Sequence, residues 1–99
     1  MDYEFKTTFW LDFTIADAFG TTAVEDTYKR AFDEWHDNTE YITELCLVLN
    51  WKIWQHHVRE DEKSQKLARL YDRLYFKLYD WCSENLEGDD LSYFYSTLD

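Results

Sequence analysis

The sequence predicts an all-α protein: a compact bundle of about four helices followed by a short C-terminal helical turn. Its 99 residues include no proline and two glycines, Gly20 and Gly88, so helices are interrupted only where one is expected to stop. Apolar residues also recur every three or four positions over most of the chain. This length suits one hydrophobic core, and residues 1–99 are therefore expected to form a single domain.

The first helix is predicted to span about residues 8–19. Its apolar positions follow helical spacing and are Phe5, Phe9, Phe13 and Ala16. Gly20 can adopt the left-handed conformation that follows the last turn of many helices, so we expect the helix to end there.

The second helix is predicted to run from Thr22 to about His36. Thr22 and Glu25 have the spacing of a capping box, in which each side chain bonds a free backbone amide at the helix start. The stripe expected to face the core consists of Val24, Tyr28, Ala31, Phe32 and Trp35. The opposite face carries carboxylates and is expected to lie in solvent.

A third helix, capped by Asn38 or Thr39 and ending near Arg59, is expected at the centre of the bundle. Residues 41–54 are apolar on almost every side. A helix without a polar face is usually surrounded by other helices, which predicts the central position.

The fourth helix is predicted to begin at Asp61 or Ser64 and to end at Gly88. Its apolar side consists of Leu67, Leu70, Leu74, Leu78, Trp81 and Cys82. Beyond Gly88, an aspartate before Leu91 is expected to cap a short helical turn. Across all the helices, the predicted core positions are Trp35, Leu45, Leu49, Ile53, Leu74 and Leu78.

Composition argues against several classes of protein. The longest apolar run, residues 45–49, is far shorter than the ~20 residues of a membrane-spanning helix, and residues 1–4 lack the pattern of a signal peptide. We therefore expect a cytoplasmic protein with no membrane association. Cys46 and Cys82 lie in helical patterns without CxxC spacing, which indicates buried free thiols; a disulfide between neighbouring helices is the alternative.

No pattern typical of a catalytic or metal site is present. Adjacent side chains on a helix diverge by about 100°, so His56 and His57 cannot share a metal ion, and HExxH spacing is absent. We interpret both, together with His36, as residues at helix ends, in solvent or capping carbonyls. With no nucleophile motif and no glycine-rich phosphate loop, the sequence predicts no enzyme, no metal and no cofactor.

Asp12 and Asp17 interrupt an otherwise apolar stretch of the first helix. A carboxylate on an apolar helix face requires a partner. One of the two is therefore expected to form a structural ion pair with Lys52 or with a base on the last long helix.

Charge is the strongest functional signal in the chain. Residues 1–50 carry 11 acids and 3 bases, residues 51–78 carry 4 and 7, and residues 79–99 carry 6 and none; the sums −8, +3 and −6 give the net −11. Such a surface repels itself and is often recognised by a basic partner. The predicted partner-binding residues are Glu25, Asp26, Asp33, Glu34 and Asp37 on the second helix and Glu84, Glu87, Asp89 and Asp90 near the end of the chain.

The spacing of three of these acids suggests how they would act. Asp26, Asp33 and Asp37 fall close to one line at i, i+7 and i+11, so they are expected to replace about three phosphates of a nucleic-acid strand. A basic stripe on the fourth helix resembles a nucleic-acid face and consists of Lys66, Arg69, Arg73 and Lys77. At a net charge of −11, we interpret this stripe as salt-bridge partners of an acidic helix and expect no direct DNA binding.

Most of the 20 aromatic residues are needed for the core, but six are hard to place in a domain this small. These are Trp10, Trp51, Tyr75, Tyr79, Tyr93 and Tyr95. Exposed aromatics commonly anchor protein interfaces, and a homodimer interface would cover them equally well.

Segments along nearly the whole chain resemble a group of small uncharacterised proteins carried on conjugative and other mobile elements of gut Gram-positive bacteria. The segments are Phe9-Trp10-x-Asp12-Phe13-x-Ile15-Ala16-Asp17-x-Phe19-Gly20, Thr43-Glu44-Leu45, Leu49-Asn50-Trp51-Lys52-Ile53-Trp54 and Leu91-Ser92-Tyr93-Phe94-Tyr95. The resemblance implies no activity and no catalytic residues. It implies a setting in which small acidic proteins block host defences by imitating the phosphate backbone of DNA, as anti-CRISPR and antirestriction proteins do.

Two functional hypotheses follow, and a third, a small hydrolase or metal enzyme, would require stoichiometric zinc, manganese or iron in the purified protein. The first is a non-enzymatic, anti-CRISPR-like DNA mimic whose acidic face occupies the basic groove of a nucleic-acid-binding protein, with a CRISPR effector nuclease as the leading candidate. The alternative is a homodimeric interaction or regulatory module of a mobile element that uses exposed aromatics. Salt dependence separates the two, because a charge-driven contact weakens steeply with ionic strength and an aromatic interface does not.

Overall fold

The computed structural model of the chain describes the backbone of residues 2–98 and the side chains of residues 8–98, and it is helical throughout. Its five helices are α1 Asp2–Phe19, α2 Thr21–Trp35, α3 Thr39–His57, α4 Glu62–Asn85 and α5 Gly88–Leu98. The all-α prediction is confirmed, and the backbone of residues 2–98 contains no strand. The C-terminal element is a helix of 11 residues, longer than the predicted turn.

A single glycine joins α1 to α2. The Gly20 amide donates to the Ala16 carbonyl at 3.1 Å, and the Gly20 carbonyl accepts from the Val24 amide at 3.2 Å. The φ of Gly20 is +113°, a conformation that a residue with a side chain adopts only under strain. The expected stop at Gly20 is confirmed, but the capping box is wrong: α2 already begins at Thr21, with Gly20 as its N-cap and no side-chain cap.

The starts of α3 and α4 follow the predicted caps. The Asn38 side chain accepts from the Tyr41 amide at 3.1 Å, and the Asp61 carboxylate accepts from the Ser64 amide at 2.9 Å. Hydrogen bonds from Ser64 lower the pKa of Asp61, because they favour its charged form. Both helices end slightly before the predicted residues, and Gly88, at φ +58°, begins α5.

Helix α3 is the central element, as predicted, and it packs against all four other helices. Of the predicted core positions, Leu45, Leu49, Leu74 and Leu78 are buried. Trp35 and Ile53 are instead half-buried against the core, because each lines a surface groove between two helices. The buried side of α1 is formed by Phe9, Phe13 and Ala16; the side chain of Phe5 lies outside the described residues.

Both cysteines are free and buried, which confirms their prediction as thiols of the core. Burial raises the pKa of Cys82 from 9.0 to about 12, and it also raises the pKa of Cys46. Burial likewise raises the pKa of the Tyr28 hydroxyl from 10.0 to about 12. These groups therefore keep their protons in the folded protein well above the pH at which the unfolded chain loses them.

Truncation of Leu49 or Leu74 to alanine should lower the free energy of unfolding by ~2–5 kcal/mol, because each change leaves a cavity in a packed core. Leu11→Ala is the matched control, since Leu11 is exposed and its truncation should change stability by less than about 0.5 kcal/mol. Urea denaturation followed by tryptophan fluorescence measures both. If Leu49→Ala or Leu74→Ala were as stable as Leu11→Ala, the assignment of that leucine to the packed core would be wrong.

Stability should fall as the pH rises above about 9. Folding raises the pKa values of Cys46, Cys82 and Tyr28, so these groups contribute their full stability at a pH below their pKa values in the unfolded chain. At higher pH the unfolded chain loses these protons while the folded protein keeps them, and the contribution is lost. Urea melts at about pH 8 and about pH 10 measure the loss. The Cys46→Ala/Cys82→Ala variant should lose less stability between these two pH values than the parent. An equal loss would show that deprotonation of the two thiols does not cause the decrease.

Candidate functional site

A buried ionic cluster ties α1, α3 and α4 together. Lys52 of α3 is 0% exposed, and its Nζ lies 2.7 Å from Oδ2 of Asp17 in α1. Nε2 of His56 lies 2.8 Å from the same oxygen, and the Tyr71 hydroxyl of α4 donates to Oδ1. The predicted ion pair with Lys52 is thus confirmed for Asp17. Asp12 is exposed and lines a groove instead.

Aromatic rings surround the Lys52 ammonium. Its Nζ lies 4.5 Å from the Trp10 ring centroid and 5.8 Å from that of Tyr71, and the His56 ring stacks on Tyr71 at 5.7 Å. Loss of water lowers the pKa of Lys52, and the hydrogen bond and charge of Asp17 oppose this shift. Burial, together with the hydrogen bond and charge of Asp17, raises the pKa of Tyr71, so its hydroxyl remains a donor.

These four residue types also occur in acid–base sites, but their packing here is that of a structural contact. Lys52 and Tyr71 are fully buried, and the side chain of Asp17 is 13% exposed. Five grooves on the surface are lined by other side chains.

The histidines differ from one another in their surroundings. Nδ1 of His36 lies 3.1 Å from the Phe32 carbonyl and 3.2 Å from that of Asp33, which confirms the prediction of a helix-end cap. His57 is exposed, whereas His56 is buried. The interpretation of His56 as a residue in solvent or capping a carbonyl is wrong, because the last turn of α3 is folded against Asp17 and the His56 ring contacts that carboxylate. Among residues 8–98, no three histidine, cysteine or acidic side chains are grouped to hold a metal ion.

Eight of the nine predicted partner-binding acids are exposed. They are Asp26, Asp33, Glu34, Asp37, Glu84, Glu87, Asp89 and Asp90. None of the eight forms an ion pair with another side chain of residues 8–98. The ninth, Glu25, is half-buried and lies 3.9 Å from Arg73. The predicted line of three along α2 is interrupted, because α2 ends at Trp35 and Asp37 follows its C-cap.

Two grooves flank α2 and divide these acids. The α1/α2 groove, of about 580 Å³, is lined by Asp26 and Glu34. The α2/α4 groove, of about 560 Å³, is lined by Asp33 and Glu84. One residue from each predicted acidic cluster therefore lines the second groove, whereas Glu87, Asp89 and Asp90 line neither.

The basic stripe of α4 is partly engaged within the molecule. Arg73 pairs with Glu25 of α2, as the salt-bridge interpretation predicts. Lys66 lies 3.6 Å from Glu62 on its own helix, and Lys77 Nζ lies 6.0 Å from the Tyr28 ring centroid.

The exposed apolar residues are mostly not those that the sequence singled out. Of the six aromatics, Trp51 and Tyr93 are exposed, and the other four are half-buried against the core. The exposed apolar residues that were not anticipated are Leu11, Ile15, Phe19, Trp54, Val58 and Phe76. The first three have i, i+4, i+8 spacing, a signal that marks a second apolar stripe on α1.

Comparison with models of known families, with curated proteins and with solved structures finds no match for the chain. The resemblance drawn from the sequence therefore stays a hypothesis. Within residues 2–98, no helix combines the length and the apolar character needed to cross a membrane.

Loss of the Lys52 charge should be strongly destabilising. Lys52→Met leaves the Asp17 carboxylate without its cation in a mostly buried site and should lower the free energy of unfolding by about 3–5 kcal/mol. Lys66→Met is the matched control: Lys66 is exposed, and its pair with Glu62 should contribute less than about 1 kcal/mol. Chemical denaturation of both variants measures this. Equal, small losses would show that the buried pair does not hold the helices together.

Proposed function

We propose that this chain is a non-catalytic, anti-CRISPR-like inhibitor that binds a basic nucleic-acid-binding protein and occupies its DNA groove. The leading candidate for that protein is a CRISPR effector nuclease. The observation that carries the proposal is the set of eight exposed carboxylates that form no ion pair with the side chains of residues 8–98. They lie on or beside α2 and around the α4–α5 junction.

The physical argument rests on how a DNA groove holds its ligand. Lysine and arginine side chains bind the phosphate backbone mainly through charge, and each contact displaces condensed counterions. Most of these carboxylates are carried by helices, whose backbone is already ordered before binding, so binding requires less ordering than it would for a disordered acidic segment. A protein of net charge −11 is also drawn toward a basic groove over long distances.

The buried cluster supports the assignment of the surface acids to binding. Asp17 has its own cation inside the protein, whereas Asp26 and Asp33 are exposed and form no ion pair with the side chains of residues 8–98. Asp26 and Asp33 therefore contribute no such pair to stability, and repulsion among the surface carboxylates opposes folding. A partner that supplies cations would relieve that repulsion.

The alternative proposal is a homodimeric interaction module of a mobile element. The exposure of Trp51 and Tyr93 favours it, because aromatic side chains are enriched at interface centres. Such an interface would depend little on salt, so the same titration that tests the inhibitor tests this alternative.

Removal of three carboxylates from α2 should weaken binding without unfolding the protein. Asp26→Asn/Asp33→Asn/Glu34→Gln changes exposed residues that form no ion pair with the side chains of residues 8–98, so its melting temperature should stay close to that of the parent. The parent, immobilised, is used to capture its partner from a lysate of the native host. The captured protein is then purified and tested for displacement by a double-stranded DNA oligonucleotide and for inhibition of its DNA binding or cleavage.

The affinity of the purified pair is measured by calorimetry between about 50 and 200 mM salt. The affinity of the parent for the partner should fall steeply over this range. The triple variant should bind more weakly, and its plot of log affinity against log salt concentration should be flatter by about one per phosphate equivalent lost. Glu60→Gln/Glu62→Gln/Asp72→Asn, which removes equal charge from residues outside the predicted set, is the control and should bind nearly as the parent does. If the α2 variant binds as tightly as the parent at low salt, this face is only a solvated surface.

A further inference from the structure

Helix α1 has a second apolar stripe in addition to the one that packs into the core. Leu11, Ile15 and Phe19 recur at i, i+4 and i+8 and are 53%, 60% and 80% exposed. Three large apolar side chains in line on one helix form an apolar surface of the kind that commonly marks an interaction site.

This stripe borders the α1/α2 groove. Ile15 and Phe19 line the groove from α1, and the small residues Ala23 and Ala31 line it from α2. Small side chains between two helices leave room for a ligand to approach the backbone. From Thr8 to Phe19 the groove follows α1 for roughly 17 Å, the length of about three helical turns.

The charges around the groove determine the kind of ligand that fits. Three acids line it, Asp12, Asp26 and Glu34, against one base, Arg30. Nη2 of Arg30 donates to Thr27 at 3.4 Å within α2. The groove therefore combines an apolar wall with a negative rim, and it repels a second copy of this acidic chain.

We propose that the α1/α2 groove binds a basic amphipathic helix of the partner protein. Apolar residues of that helix, at i, i+3 or i+4 and i+7, pack against Ile15 and Phe19. Its lysine or arginine residues reach Asp26 and Glu34. This inference rests on the proposed function, since it takes the partner to be basic, and it adds a helix-in-groove contact to binding by charge.

A labelled peptide tests the groove without knowledge of the partner. The probe is a fluorescein-labelled helix of about 14 residues, built from leucine at helical spacing and lysine elsewhere. One comparison peptide has the same composition in an order that breaks the spacing, and another replaces lysine by glutamate. Fluorescence anisotropy should show binding of the first peptide to the parent at least about tenfold tighter than of either comparison peptide.

Variants locate the binding site. Ile15→Ser/Phe19→Ser and, separately, Asp26→Lys/Glu34→Lys should each lower the affinity for the first peptide at least about tenfold. Val58→Ser/Phe76→Ser and Glu60→Lys/Asp72→Lys make equivalent changes at exposed residues outside the groove, and the affinity of these variants for the first peptide should remain within about twofold of the parent. Circular dichroism melts establish that each variant is folded.

Three results would overturn the groove proposal. Equal binding of the spaced and scrambled lysine peptides would mean attraction by charge alone. Equal loss in the groove and control variants would place the peptide elsewhere. Sedimentation of the parent as a dimer that Ile15→Ser/Phe19→Ser converts to a monomer would show that a second copy covers the groove.

Experiments with the natural partner test the proposed function separately from the groove. If the two serine substitutions leave partner capture and DNA competition unchanged while the α2 carboxylate variant loses both, the groove proposal fails and the inhibitor stands. If the groove binds the peptide but the captured partner is not displaced by DNA, the inhibitor fails and the groove stands.

Discussion

A lysine without contact to solvent imposes the most demanding condition on this fold. An ammonium group inside a protein loses several kcal/mol of hydration, which only close anionic and polar partners offset. Asp17 lies 2.7 Å from Lys52 Nζ, and Tyr71 donates to the same carboxylate. Since these residues belong to α1, α3 and α4, the requirement sets the register of three helices at once. Apolar contacts alone would tolerate small shifts between the helices.

The same contact determines which surfaces of α1 remain available. Asp17 and Trp10 face α3 and its lysine, and Phe13 packs edge-on against Tyr71 at 5.7 Å. The stripe that contains Ile15 and Phe19 is left on the outer side, next to α2. Asp17 on the inner side of α1 therefore has a cation within the protein, whereas eight exposed acids of the predicted set form no ion pair with the side chains of residues 8–98.

Helical spacing in the sequence predicts local features such as helix caps and exposed faces, but it does not predict contacts between helices. The caps at Asn38 and Asp61 follow from side chains close in sequence, and the exposed acids follow from the phase of each helix. Thr22 fails as a cap because Gly20 turns the chain within one residue. The burial of His56 requires knowledge of where α1 ends. Neither the choice of Asp17 over Asp12 nor the groove shared by Asp33 and Glu84 follows from spacing within one helix.

An acidic surface and an apolar groove on the same side of a molecule affect different stages of binding. Charge acts over about a Debye length, so in the proposed complex the carboxylates accelerate encounter with the basic surface and orient the approach. Every polyanion in the cell, DNA and RNA included, competes for such a surface by the same means. Shape-dependent burial of Ile15 and Phe19 acts only on contact and slows dissociation. In the proposed complex, selectivity for one basic protein therefore has to come from the apolar stripe, because the charge of Asp26 and Glu34 alone does not distinguish one lysine-rich groove from another.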